Sequence, residues 1–194
     1  MIPILDIRHV SIIDALPIYN TEKEVLTVGC GDCKIDYHLI KMNYKVYSTD
    51  YQTAEKFRKN MEEYFSILNY YHSNIFNLNS FPIQNAESVI CSEVLEHLIN
   101  YKEAFMNLLT LTRKRLIITI PFEQSYNDSA PLPEGHCNFW SDSISIGYKD
   151  IHEFIEMAKP YAISIQKIRT KELDIQMGQY DYFIIIDKNQ KYNN

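Results

Sequence analysis

The segment Val25-Leu26-Thr27-Val28-Gly29-Cys30-Gly31-Asp32-Cys33, followed by Asp50 nineteen residues beyond Gly31, constrains this chain more than any other. Its first four residues read as a buried strand. Gly29 and Gly31 carry no Cβ, so the backbone can turn sharply there with positive φ and come close to a ligand. Residues 34–42 read as a short helix, and residues 45–50 as a second strand that ends on a carboxylate. Strand, glycine turn, helix and a second strand with a terminal acid make half of a nucleotide-binding βαβ unit, where the acid can grip a ribose diol. The expected ligand is a cofactor with an adenosine-like part.

The alternation continues along the chain. Residues 53–68 have helical spacing, with Phe57, Met61, Tyr64, Phe65 and Leu68 on one face. Residues 70–75 and 88–91 read as strands, separated by a break at Phe81-Pro82. Residues 101–112 read as a helix, and residues 116–120 as a strand stopped by Pro121. A further helix is expected at 149–159 and two closing strands at 162–169 and 182–186. Residues 1–20 read as a helical or irregular lid. Residues 122–148 are rich in Pro, Ser, Asn and Asp and read as one long loop, which in a compact domain is functional or mobile. This order implies an open, mostly parallel α/β sheet with its ligand at the carboxyl ends of the strands.

Composition narrows the partners. A chain of 194 residues with 46% apolar content fits one domain, residues 1–194, with a substantial core. The formal net charge is −6 and no basic cluster exceeds Arg113-Lys114-Arg115. That triplet fits the end of a helix better than a phosphate site. Nucleic acid is therefore disfavoured, because binding to its backbone draws on many Lys and Arg contacts. No apolar run approaches the roughly 20 residues that span a bilayer, so membrane insertion is not expected. Asp6, Arg8 and His9 interrupt any secretion signal. Four cysteines without such a signal point to a reduced, cytoplasmic protein.

Residues 25–154 resemble the class I S-adenosylmethionine-dependent methyltransferases, in the broad group that acts on ubiquinone and small metabolites. The resemblance rests on Val25-Leu26-Thr27-Val28-Gly29-Cys30-Gly31, on Asp50, on Ile90-Cys91-Ser92-Glu93-Val94-Leu95-Glu96-His97 and on Thr119-Ile120-Pro121. The Ser-Glu-Val-Leu-Glu-His string is its most specific part. It implies an α/β, Rossmann-like fold with a seven-strand, mostly parallel sheet flanked by helices, the last strand antiparallel. It also implies S-adenosyl-L-methionine as cofactor and a small-molecule oxygen, nitrogen or carbon as methyl acceptor. The acceptor would lie between the 1–20 lid and a substrate-side loop at 122–148. Gly29, Cys30 and Gly31 would line the methionine end of the cofactor, Asp50 would hold the ribose hydroxyls and Tyr51 would lie against adenine. Asn74, with Ile75 and Phe76 beside it, stands where the family usually has an Asp that accepts from the adenine amino group; an Asn oxygen can accept the same bond. Ser92 and Glu93 would border the methyl-transfer pocket. Thr27 stands where the family usually has an acid for the cofactor's amino group, and Cys33 where a third glycine is common. Those two departures are the support for an alternative, a non-catalytic S-adenosylmethionine-binding regulatory protein.

Two further clusters carry chemistry. Cys30-Gly31-Asp32-Cys33 is a C-x-x-C at a helix start, the setting in which thiols become reactive. Here it falls inside the glycine turn, and the alternation extends beyond a thioredoxin-sized domain, so redox chemistry is not the expected role. Cys91 and Cys137 are single, which disfavours zinc. Glu93, Glu96 and His97 would share one face of a helical turn, and His136 follows in Gly135-His136-Cys137-Asn138-Phe139-Trp140. Two carboxylates and two imidazoles can chelate a divalent cation. The arrangement resembles the metal site of small-RNA 2′-O-methyltransferases, so a metal-dependent enzyme of that kind is the third reading. The expected state is metal-free, with these residues as a polar pocket wall in which His97 or His136 could take a proton from an acceptor. Trp140 is expected to anchor its loop. His9, His38, His72 and His152 have no companions that suggest chemistry.

Overall fold

β1 (Glu24–Val28) is buried at every position, and a strand without a solvent face needs neighbours on both edges and packed layers on both sides. The computed structural model, which describes residues 3–17, 22–122, 135–142, 147–171 and 179–191, supplies both. β1 pairs in parallel with β2 (Lys45–Asp50) on one edge and with β4 (Ala86–Ser92) on the other. β3 (Tyr70–His72) and β5 (Thr112–Pro121) extend the parallel sheet outward. β8 (Tyr161–Lys171) and β9 (Gln179–Lys191) complete seven strands in the order β3-β2-β1-β4-β5-β9-β8. β9, the last in the chain, inserts between β5 and β8 and runs antiparallel to both. The seven-strand α/β sheet with an antiparallel last strand is thus the one the sequence predicts.

Alternate side chains on each strand feed opposite layers. Leu26, Val89, Leu116, Ile118 and Ile184 point into the larger core, where α4 (Tyr101–Leu111) contributes Phe105 and Leu108 and α5 (Glu153–Ala158) contributes Phe154. Val25, Ile90, Ile117 and Phe183 face the other side, against Ile35 and Leu39 of α2 (Lys34–Lys41) and Ile12 of α1 (Ile7–Asp14). The expected N-terminal lid is therefore part of the fold where it is described, since Ile12 and Leu16 are fully enclosed. Asp6 caps α1, accepting the His9 N–H at 2.9 Å. Residues 1, 2 and 18–20 of the lid lie outside the described residues.

Several elements differ from expectation, each for a local reason. The expected 53–68 helix divides into α3 (Ala54–Met61) and a 3₁₀ turn at Phe65–Ile67. Between them, Tyr64 turns under the glycine loop and donates its hydroxyl to the Asp32 carbonyl at 2.5 Å. β3 stops after His72: Ser73 N–H still bonds Asp50 O of β2, but Asn74 N–H turns to Ser80 Oγ and leaves the sheet. Arg113, Lys114 and Arg115 do not end a helix. They lie in β5, paired respectively with Glu22, Glu87 and Asp187. Within the expected 122–148 loop, β6 (Trp140–Ser141) pairs with β7 (Lys149–Asp150); residues 123–134 and 143–146 lie outside the described residues. β7 takes the start of the expected 149–159 helix, leaving the short α5. No helix among the described residues is long and apolar enough to cross a membrane.

Leu108 is completely buried in the larger core, whereas Met106 on the same helix is half exposed. Leu108→Ala is expected to cost about 2–5 kcal/mol in denaturant unfolding, and Met106→Ala less than about 0.5 kcal/mol.

Candidate active site

The site is built where β1, β2 and β4 end. The chain leaves β1 through Gly29 at φ +73° and Gly31 at φ +54°. Gly29 and Cys30 both donate backbone N–H to Thr49 O, at 2.8 and 3.0 Å, which draws the turn onto the end of β2. A Cβ on Gly29 would meet Val94 Cγ2 at 2.3 Å, so this glycine serves close packing. A Cβ on Gly31 would meet nothing within 4 Å, because that position faces open space. Asp50 latches the turn: its carboxylate accepts the Gly31 N–H at 3.0 Å and the Gln52 N–H at 2.9 Å.

A cleft of about 710 Å³ opens beside this latch, lined by Gly29, Gly31, Asp50, Tyr51, Asn74, Ile75 and, on its far wall, Glu93 and His97. Its size suits a nucleoside-sized ligand. Tyr51 is 70% exposed with its ring beside His72, and so presents a free aromatic face at the rim. The Asn74 side-chain oxygen already accepts the Phe76 N–H at 3.0 Å; its second lone pair remains for a ligand. A second, smaller cavity of about 240 Å³ continues past the glycine turn. Arg8, His9, Thr27, Cys30, Asp32, Lys34, Asp36, Ser92 and Glu93 line it.

Spacing in the sequence brings Glu93, Glu96 and His97 together, but the backbone separates Glu93 from the other two. Glu93 sits at φ +56°, a conformation uncommon for a residue with a Cβ, and the helical turn begins only at Leu95. Its carboxylate is aimed at the Arg8 guanidinium, 3.1 Å away, and accepts the Thr119 hydroxyl at 3.1 Å. Ser92 and Thr119 hydroxyls bond at 2.8 Å. Burial pushes the Glu93 carboxyl up, against the pull of Arg8. Asp181, 3.4 Å from the same guanidinium, is pushed up to about 8 by burial and then by the Glu93 charge.

Glu96, His97 and His136 form the other group, with one potential ligand atom from each within 4.8 Å of the others. The 135–138 segment is folded back over the end of β4. Asn138 clasps it there, donating its side-chain amide to Leu95 O and Leu98 O at 3.1 and 2.7 Å, while Cys137 and Asn138 N–H both bond Glu96 O. The His97 and His136 rings meet edge to face at 4.7 Å. His97 Nδ1 lies 3.0 Å from Gly135 O, which can only accept, so Nδ1 carries the hydrogen. Burial lowers His136 from the ordinary imidazole value. Trp140 is the anchor its sequence context suggests, fully buried against Tyr101 and Phe154 with its N–H on Glu153 at 3.0 Å.

The Cys30 and Cys33 sulfurs lie 3.2 Å apart beneath the turn. Both thiols are raised, Cys30 chiefly by burial, which suppresses the reactive thiolate. At position 27, where the sequence has no acid, Thr27 donates its hydroxyl at 2.5 Å to Asp36 of α2, whose carboxyl is buried and raised by that burial. Arg8, Asp36, Thr119, Asn138 and Asp181 are the site residues that sequence reasoning missed. Thr119 alone had a signal, its place before Ile120-Pro121 at the end of a buried strand.

Residues 26–118 match the family model described as a methyltransferase domain. No curated protein matches the chain. Among solved structures, the chain is similar to magnesium protoporphyrin IX methyltransferase (ChlM) from Synechocystis PCC 6803 with bound SAM. That match has 14% identity and a TM-score of 0.63 over 93% of this chain and 78% of that one. The methyltransferase domain of bacterial CtHen1 matches at 16% identity and a TM-score of 0.64, over 93% of this chain and 97% of that one. The PH0226 protein of Pyrococcus horikoshii OT3 matches at 14% and 0.61, over 93% and 89%. At these identities the structural likeness shows the fold. The family match spans the glycine turn, the latch and β4, so residues 26–118 are similar to a methyltransferase domain, carried on a fold shared with S-adenosylmethionine-dependent methyltransferases.

Proposed function

We propose that this protein transfers the methyl group of S-adenosyl-L-methionine to an oxygen, nitrogen or carbon of a small-molecule acceptor. The observation that carries the reading is the cleft of about 710 Å³ at the ends of β1, β2 and β4, with the Gly29–Gly31 turn on one side and the Asp50 carboxylate on its floor. The sulfonium, when bound, supplies a methyl group that is already strongly electrophilic. The chain's own residues therefore need mainly to position donor and acceptor and to keep water out. Gly29, Cys30 and Gly31 would admit the methionine portion, Asp50 the ribose hydroxyls, and Tyr51, Asn74 and Ile75 the adenine. Ser92 and Glu93 would border the reacting atoms. His97 or His136, on the acceptor side, would receive the proton of a hydroxyl or amine acceptor. The acidic balance of the chain favours a small acceptor over a nucleic acid.

A second reading places a divalent cation at Glu96, His97 and His136. It is favoured by the His97 tautomer, since Nδ1–H on Gly135 O leaves the Nε2 lone pair facing a Glu96 oxygen 3.8 Å away. A contact of this kind is stabilised by a proton or a metal cation between the two atoms, and a backbone bond that fixes the far ring nitrogen is the usual support of a metal-binding histidine. The donor types suit a divalent cation, and the ligand atoms, within 4.8 Å of one another, would have to draw in to the roughly 4 Å or less that a shared ion at about 2.1 Å requires. Glu93, engaged with Arg8, would be no ligand. A bound cation would hold and polarise an acceptor oxygen.

Asp50→Ala should weaken S-adenosylhomocysteine in calorimetry by tenfold or more, because charge-assisted bonds contribute about 1.5–3 kcal/mol each. An unchanged dissociation constant contradicts the ribose assignment. For the cation, titration with manganese should raise the unfolding temperature of the wild type and not of His136→Ala, with S-adenosylhomocysteine affinity nearly equal in the two proteins. If manganese shifts neither protein, the three residues are a metal-free wall of the acceptor pocket.

A further inference from the structure

The two thiols beneath the glycine turn have a third companion. Cys33 N–H donates to Cys30 O at 2.9 Å, which closes the turn and leaves the sulfurs, both free thiols, 3.2 Å apart. Cys33 stands at the N-cap of α2, and Asp36 follows three residues on, at a spacing that shares a helix face. One potential ligand atom from each of Cys30, Cys33 and Asp36 lies within 4.8 Å of the others. The sequence disfavours zinc because Cys91 and Cys137 stand alone; the structure supplies a carboxylate in their place.

Asp36 is 1% exposed, and the partner it has on β1 is the neutral Thr27 hydroxyl. Of the basic side chains lining the smaller cavity, Arg8 pairs with Glu93, Lys34 with Asp32 and His9 with Asp6, and none with Asp36. A carboxyl so enclosed is neutralised by a proton or by a cation. The two sulfurs beside it favour a soft divalent cation over magnesium or calcium. Met61 and Tyr64 pack with Cys33 in an apolar cluster that also takes in Cys30, and such a shell limits the water that reaches a metal. Cys30 and Asp36 both line the cavity, which gives an ion a way in.

We propose that Cys30, Cys33 and Asp36 form a zinc site that ties the glycine turn to α2. Two thiolates at about 2.3 Å from one zinc lie about 3.8 Å apart, so sulfurs now at 3.2 Å have only to open slightly. The Asp36 oxygen, within 4.8 Å of both sulfurs, would draw in to about 3.5 Å. Zinc displaces both thiol protons to solvent, forming two Zn–S bonds and one Zn–O bond with no change of oxidation state. Water from the cavity completes the four ligands. Two sulfurs and one oxygen make this site chemically distinct from the Glu96, His97 and His136 group, which offers one oxygen and two nitrogens. Its role is structural: Asp50 ties the turn to β2, and zinc would tie it to α2.

Cobalt(II) is the probe, because thiolate ligands give it a near-ultraviolet charge-transfer absorbance that carboxylate and imidazole do not. The whole chain, kept reduced under nitrogen with a phosphine, should bind cobalt with that absorbance, and added zinc should abolish it by displacement. Cys30→Ser, Cys33→Ser and Asp36→Asn should each weaken zinc tenfold or more, and the two serine variants should also lose half or more of the absorbance. Cys137→Ser and His136→Ala should leave the absorbance unchanged, which separates this site from the exposed thiol and from the other cluster. Metal-free circular dichroism like that of wild type shows that a variant is folded. Cys33 is fully enclosed and Cys30 is not, so Cys30→Ser carries the test should Cys33→Ser fail to fold. No thiolate absorbance in wild type, full absorbance in Cys30→Ser, or unchanged zinc affinity in Asp36→Asn would refute the site.

Discussion

The Asp50 carboxylate accepts the Gly31 N–H and the Gln52 N–H with one oxygen each, and the geometry of the whole site follows from that latch. Two glycines at positive φ, one on each side of Cys30, would otherwise leave the turn after β1 with many accessible conformations, since glycine is the least restricted residue. Tied to the end of β2, the turn keeps its open side toward the cleft. The sheet makes the latch possible, because β1 and β2 are parallel and in register from Glu24/Lys45 to Val28/Thr49. Their carboxyl ends therefore arrive together. Charge-assisted bonds of this kind are stronger than neutral ones, which suits a turn that must present the same face to each incoming ligand.

The opposite wall is held by a different means. Glu93 adopts a left-handed backbone, and conformations of this kind persist where surrounding contacts over-determine them. Here the contacts are the Glu93 N–H on Thr119 O, the Thr119 hydroxyl and the Arg8 guanidinium. The result is a division of labour along one short stretch of chain. Glu93 turns toward the glycine loop and α1, while Glu96 and His97 turn toward the folded-back segment that carries His136. Asn138 secures that segment by bridging two carbonyls of the same turn. Glu93 and Glu96, three residues apart, are thus assigned to two neighbouring sites by one backbone angle.

Local patterns carried the reading of β1, the glycine turn, α2 and β2, because each is specified by residues close in sequence: buried β-formers, two glycines and a terminal acid. The larger departures arise where distant residues decide. Arg8 is one cation in an apolar N-terminal stretch, and its partners beyond Asp6 lie at positions 93 and 181, so no spacing rule points to its place in the site. The rule that residues three and four apart share a face presumes a regular helix, and it failed at Glu93 because the helical turn starts two residues later. Arg113, Lys114 and Arg115 looked like the end of a helix until β5 proved to begin at Thr112, where acids from neighbouring segments and strands pair with all three. The pairing of β6, within the 122–148 region, with β7 just beyond it is main-chain pairing that composition does not encode.

A crystal structure with S-adenosylhomocysteine bound tests the central claim most directly. The account predicts the ribose hydroxyls within hydrogen-bonding distance of Asp50 and the adenine between Tyr51 and Asn74. It predicts the thioether sulfur beside Ser92 and Glu93, facing the His97 and His136 side. A nucleoside bound elsewhere, or one whose ribose makes no contact with Asp50, would contradict it.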